Sequence, residues 1–259
     1  MRRIWAQIAV WGIVGVAMLP LIPLAIWSFA RGWRFPDLLP AQWSGRAWAY
    51  AFSDTSGVMG SIGVTLGIAA SVTLGATVIG IPAGRALAMH QFRGKGLVEA
   101  IILAPLIVPP LTVALGLQGV FIGLGLTGSI LGVVLVHLIP VLPYVILIMT
   151  GIFANFDSRF EDQARSLGAG RAQVFYYVTL PALAPGVMVA MMMGFLISWS
   201  QYLLTLMIGG GRVVTLPLVL FNFASSGRND ITGAIAVIYI LPAVAILALT
   251  ARRMLGFRV

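Results

Sequence analysis

The sequence predicts an all-α membrane protein with six transmembrane helices, and three observations carry that prediction. Hydrophobic residues make up 60% of the 259 positions and charged residues only 9%, for a mean hydropathy of +1.02. Apolar runs of about 20 residues, the length that crosses a bilayer core, recur along the chain. Basic residues gather in the segments between those runs and at the two ends. With most of the chain in spans, 1–259 is expected to form a single membrane domain embedded in a lipid bilayer. A net charge of +9 would suggest nucleic acid in a soluble protein, but no aromatic-interleaved basic patch accompanies it, and membrane topology accounts for it. No cysteine is present, which excludes a disulfide frame and a Cys metal site.

The first run, 4–29, follows Arg2 and Arg3 as a signal peptide would. It is long and lacks a clear small-residue cleavage site, so a retained span is expected. Pro20 and Pro23 should kink it. The polar segment 30–57 holds Trp33, Trp43, Trp48 and Tyr50, residue types that favour the membrane–water interface. A second span, 58–84, is rich in Gly, Ala, Ser and Thr, which lets helices approach closely. After a basic loop, 85–96, the third span, 97–121, contains Pro105, Pro109 and Pro110 and is expected to break or bend midway. The fourth span, 128–150, carries His137, Pro140 and Pro143. The fifth, 186–208, is followed by a polar loop, 209–230, and the sixth, 231–251, by a basic tail.

On one side of this arrangement lie Arg2, Arg3, Arg85, Arg93, Lys95, Arg159, Arg165, Arg171, Arg252, Arg253 and Arg258. The other side has Arg31, Arg34, Arg46, Arg212 and Arg228. Positive residues favour the cytoplasm, so both termini, 85–96 and 155–185 are expected inside, with 30–57 and 209–230 outside.

The segment 155–185 is the one long stretch that is polar, charged and helix-patterned. Ser158 and Glu161 have the S-x-x-E spacing of a capping box, so a helix is expected to start there. Phe160, Ala164 and Leu167 give it one apolar side. Gly168 stands where a left-handed residue would stop it, and Gly170 loosens the next turn. A second short helix, 171–180, is expected to end against Pro181. An amphipathic helix with a glycine stop, placed between two spans, is suited to contact from outside the membrane.

These residues also carry a family resemblance. EDQARSLGAGRAQVFYYVTLP, 161–181, resembles the signature loop of permease subunits of binding-protein-dependent ABC importers. That loop runs Glu-Ala-Ala, a glycine four residues after the second alanine, then, after nine residues, Ile-x-Leu-Pro. Asp162, Gln163, Ala164, Gly168, Val178, Leu180 and Pro181 fall on those positions, with Asp for Glu, Gln for the first Ala and Val for Ile. The resemblance extends along most of the chain in span number and loop placement. It implies a type I ABC importer permease in a bacterial or archaeal cytoplasmic (inner) membrane, with 155–185 as the loop carrying a cytoplasmic coupling helix. Two cytoplasmic ATPase subunits, a second permease subunit (homologous or identical) and an external substrate-binding protein are the implied partners. ATP and Mg would be held by the ATPase subunits, and no cofactor by this chain. Phe160, Glu161, Asp162, Gln163, Ala164, Leu167, Gly168, Leu180 and Pro181 would then couple to the ATPase, Phe160 and Leu167 making the hydrophobic contact.

Other motifs point away from chemistry in this chain. The closest approach to a phosphate loop, HQFRGKG at 90–96, has Met89 in place of the first glycine and Gly96 in place of the magnesium-holding Ser or Thr. An intramembrane enzyme would need a partner for His137, the only histidine within a span. Asp157, Glu161 and Asp162 lie in the loop, Glu99 lies near a span end, and no H-E-x-x-H helix occurs. His137 therefore either bonds a neighbouring helix or contacts substrate. Ser198, Trp199, Ser200, Gln201 and Tyr202 form a polar cluster that lipid cannot satisfy. It either lines a water-filled path or holds helices together. Ser198, Gln201 and Tyr202 share one face of the fifth span by the i, i+3, i+4 rule. Together with His137 they are the candidate path residues. GGGRVVTLP, 209–217, resembles the following loop in the polyamine, ferric-iron and thiamine permease branch, but Ser200 and Gln201 stand where polyamine members often carry acids.

Overall fold

The computed structural model describes residues 12–13, 15–16, 18–33, 37 and 39–256. The span expected at 4–29 lies partly outside the described residues; its described end is α1, Leu21–Phe29. The chain divides into two compact units, Met1–Gly63 with Leu216–Pro242, and Val64–Thr215 with Ala243–Val259.

In the first unit, β1, Ala30–Arg31, pairs antiparallel with β2, Gln42–Trp43, with Ala30 opposite Trp43. A short helix, α2, Arg46–Ala51, follows. The polar loop expected at 209–230 holds a ten-residue apolar helix, Leu216–Ser225, labelled α10 below. Its Leu216, Pro217, Leu218 and Val219 are buried, because LPLVLFNF is too apolar to stay in water. The Arg228 guanidinium lies 5.0 Å from the Tyr50 ring centroid and 5.4 Å from that of Phe223, a cation–π arrangement. Gly233, on the last helix Asn229–Gly256 (α11), is required by backbone proximity. A Cβ there would stand 2.7 Å from the Leu24 carbonyl oxygen and 2.8 Å from the Ser28 amide nitrogen of α1.

The second unit takes its core from three long helices. They are α3, Val58–Met89, α6, Ile130–Ala154, and α8, Arg171–Trp199. Val72 and Ala76 of α3, Val141, Val145 and Met149 of α6, and Leu183 and Ala190 of α8 pack together in one buried cluster. Gly80 and Gly84 lie one turn apart on α3 and face Val145 and Met149, the small-residue approach expected of this span. Hydroxyls that would be stranded in the core turn back onto their own helix, Thr73 to the Ala69 carbonyl and Thr77 to that of Thr73.

The third expected span is two helices, α4, Lys95–Ile107, and α5, Pro110–Gly123, bent by 107°. Pro109 and Pro110 remove two amide donors in a row, so the α-helical ladder cannot cross them. Among the described residues four helices are long and apolar enough to cross a membrane, and five spans result if the bent pair counts as one.

Two expectations are corrected in the second half. Pro181 does not end a helix: α8 runs unbroken past it to Trp199. A wide turn at Phe175–Thr179, closed by the Leu180 amide donating to the Phe175 carbonyl, absorbs the proline. Pro181 has no N–H and its ring excludes a close carbonyl four residues back, and a turn with i→i−5 bonding relieves both. Nor is 186–208 one helix. After Trp199 the chain leaves the helix through Ser200, Gln201 and Tyr202, and α9, Leu203–Gly209, restarts it.

Candidate functional site

The 155–185 loop contains the expected helix, α7, Arg159–Ser166, with Ser158 at its N-cap. The capping box does not form: Ser158 makes no side-chain cap bond and Glu161 points elsewhere. The stop is as the glycine predicts. Gly168 has φ +88°, its amide donates to the Arg165 carbonyl and the Ala169 amide to that of Ala164. This 6→1 and 5→2 pair is the Schellman closure, which needs a left-handed residue at its centre. Beyond it, the Gly170 amide donates to Gln173 Oε1 at 2.8 Å.

α7 presents its expected apolar side chains to the exterior, Phe160 being 56% and Leu167 89% exposed. Arg159, Asp162, Gln163, Ser166 and Leu167 line an open hollow beside them. Asp162 Oδ1 accepts from Arg165 Nη1 at 3.0 Å, and Asp157 is bonded by Arg159. Ala164 and Leu180 are half-buried and Pro181 is exposed.

Glu161 is the exception, with 1% exposure. Its Oε1 accepts from Arg85 Nη1 at 2.7 Å and from Thr179 Oγ1 at 2.6 Å. Its Oε2 accepts from Arg85 Nη2 at 2.6 Å and from Arg165 Nη2 at 3.0 Å. The bidentate Arg85 bonds, aided by the Thr179 hydroxyl, hold this carboxyl down at about 2, so it stays ionised across the physiological range. The Arg85 guanidinium also lies 5.7 Å from the Phe153 ring centroid. The sequence names Glu161 as a coupling and capping-box residue, counts Arg85 only among the basic loop residues and gives Thr179 no role.

The path candidates separate into two sets. His137 and Ser198 are 1% and 2% exposed, so both are buried within the chain. His137 Nδ1 is 3.0 Å from Ser198 Oγ and Nε2 is 2.9 Å from Thr205 Oγ1. The Thr205 hydroxyl donates to the Gln201 carbonyl, so Nε2 donates to Thr205 and Nδ1 accepts from Ser198. This chain of bonds ties α6 to α8 and α9 across the helix break. Gln201 and Tyr202 are half-buried and lie in the break, which removes the helical face they were to share with Ser198. Gln201 lines a cavity of about 70 Å³ with Pro105, Pro110, Val113, Ile139, Pro140 and Leu204, at the bend between α4 and α5.

Apolar helices long enough to cross a bilayer, with an exposed helical loop set between two of them, define a multi-pass membrane protein. The chain belongs to the family of binding-protein-dependent transport system inner membrane components, whose model matches residues 76–259. It is 35% identical over 147 residues to the inner membrane ABC transporter permease protein YnjC of Escherichia coli (strain K12), covering 57% of this chain but 29% of that protein. It is 26% identical over 236 residues to the spermidine/putrescine transport system permease protein PotC of Haemophilus influenzae, covering 90% of this chain and 89% of that one. In fold it is similar to the crystal structure of a bacterial ABC transporter involved in the import of the acidic polysaccharide alginate. That match has a TM-score of 0.71 at 19% identity and covers 96% of both chains.

Proposed function

We propose that this chain is the membrane-spanning permease subunit of an ATP-driven importer and forms half of the translocation pathway for a small solute. An external binding protein delivers the solute, and a second permease subunit, identical or homologous, completes the pathway. The six spans of the sequence reading apply, with the bent α4–α5 pair as one and the first partly outside the described residues. Two separate cytoplasmic ATPase subunits hold ATP and Mg and dock on the 155–185 loops, where α7 acts as the coupling helix. The observation that carries this reading is the exposure of Phe160 and Leu167 on a helix closed by Gly168, inside the segment the family model matches. Burying such side chains in an ATPase groove is worth about 1.5–3 kcal/mol each. Purification through a tag on this chain should retain an ATPase subunit in fixed stoichiometry, and Phe160→Ala with Leu167→Ala should release it. A chain that transports without any ATPase bound would be an ion-coupled carrier or a channel.

Both termini are cytoplasmic in this proposal, with 30–57 and 209–230 outside, and Gln201 and Tyr202 remain as path-lining candidates. They offer neutral donors, acceptors and a ring but no charge, which leaves selection mainly to the binding protein. Single cysteines test both points, since the chain has none of its own. A cysteine at Ser44 should react with an impermeant thiol reagent in intact cells. One at Gln201 should be labelled from water and one at Ser198 should not. Labelling at Ser44 only after the membrane is opened would reverse the orientation, and equal labelling at Ser198 and Gln201 would remove the distinction between them.

A further inference from the structure

Glu161 is the single fully buried side chain of α7. The helix keeps no fully buried apolar side chain against the body of the protein: Phe160 and Leu167 face outward and Ala164 is half-buried. The non-covalent grip is a carboxylate shared by Arg85 at the end of α3 and Thr179 in the wide turn of α8, with Arg165 closing its outer side. Two helices that cross the core are thereby bonded, through one residue, to a third that lies outside it.

A buried ion pair is an expensive way to fasten a helix, because desolvation cancels much of the attraction and an apolar contact of equal size holds as well. What the pair supplies that an apolar contact does not is direction. Greasy surfaces slide with little penalty, whereas a bidentate guanidinium–carboxylate fork resists rotation and translation alike. Thr179 adds a second fixed direction at a fully buried hydroxyl. The register of Arg85 is set in turn by the Gly80 and Gly84 approach of α3 to α6.

We infer that Glu161 is a positioning residue that transmits displacement of α7 into the membrane helices, through Arg85 to α3 and through Thr179 to α8. The inference rests on the permease reading above and assigns Glu161 a role distinct from docking. Force applied at the exposed Phe160 and Leu167 leaves α7 on its buried side through this carboxylate. Asp162, at the neighbouring position, is exposed and its carboxylate accepts from Arg165 on its own helix, so it does not substitute.

The test uses the whole transporter, reconstituted with its ATPase and binding protein in liposomes. Three quantities are measured: ATPase retained on the tagged chain, ATP hydrolysed, and solute taken up per ATP. Glu161→Gln should keep the first, keep basal hydrolysis, and lower uptake per ATP by roughly tenfold, within the range that coupling free energies span. Thr179→Val and Arg85→Lys, each removing one link while leaving Glu161 in place, should give smaller losses in the same ratio. They also carry the test if the glutamine chain fails to insert. Unchanged uptake per ATP in all three overturns the inference. So does loss of ATPase binding in all three, which would make the cluster a support for the docking surface. An unaltered chain that binds no ATPase would instead overturn the permease reading.

Discussion

If the chain works as the proposed importer subunit, a Gly168→Asp variant is expected to insert, fold and keep an ATPase bound, and to hydrolyse ATP with little or no uptake. Gly168 holds φ +88° at the centre of the Schellman closure, a conformation that costs an ordinary L-residue about 1 kcal/mol or more. No atom lies within 4 Å of where a Cβ would stand, so the penalty is conformational and local rather than a clash that unfolds the protein. If residue 168 gives up its positive φ, the Arg165 and Ala164 carbonyls lose their closing bonds and the last turn of α7 re-aims Leu167. Aspartate adds a negative charge beside the negative end of that helix, worth a further 0.3–1 kcal/mol or so. Gly168→Asn, which tolerates the left-handed region and adds no charge, should retain most transport. Normal uptake per ATP in the aspartate chain, or equal damage from asparagine, would show that the φ requirement does not govern coupling.

Gly84→Ala should destabilise the second unit by forcing α3 away from α6. A Cβ at residue 84 would stand 2.5 Å from the Met149 Cβ and 2.8 Å from the Thr150 amide nitrogen. Neither is the end of a flexible side chain, so α3 and α6 must move apart, at about 1–3 kcal/mol for overpacking of this kind. Gly75→Ala on α3 is the control, because its Cβ would meet Leu138 Cδ2 at 3.6 Å, ordinary van der Waals contact. In detergent, thermal unfolding of the Gly84→Ala chain should begin at clearly lower temperature than that of Gly75→Ala. Equal midpoints would mean that the α3–α6 approach is not a tight one. Arg85 follows Gly84 directly, so the same shift should weaken its reach to Glu161 and lower uptake per ATP in the chains that remain folded.

The class of the protein was legible at once, because hydropathy is a property of composition and needs no knowledge of partners. Membrane spans, the bend at Pro109 and Pro110, the α7 helix and its Gly168 stop all follow from local rules of backbone geometry. The family loop could be read for the same reason, since its acid, glycine and Leu-Pro end lie within 20 residues or so of chain. Where local rules competed, the sequence alone chose wrongly. Pro181 should end a helix, yet packing of α8 against α6 keeps it intact by widening one turn. Ser198, Gln201 and Tyr202 should share a face, yet the helix ends between them.

Which polar groups meet was decided by tertiary structure alone. Ser158 and Glu161 have the spacing of a capping box, but Arg85, 76 residues earlier, takes the carboxylate instead. A fixed guanidinium with two parallel bonds outcompetes a single bond to a helix-end amide. His137 could have faced substrate, and only the arrival of Ser198 and Thr205, 61 and 68 residues later, turned it into a tie between helices. Composition and period describe each helix in isolation. A buried charge or imidazole is instead placed by whichever partner the packing of several helices brings within 3 Å or so, and that distance is not written in any one segment of the chain.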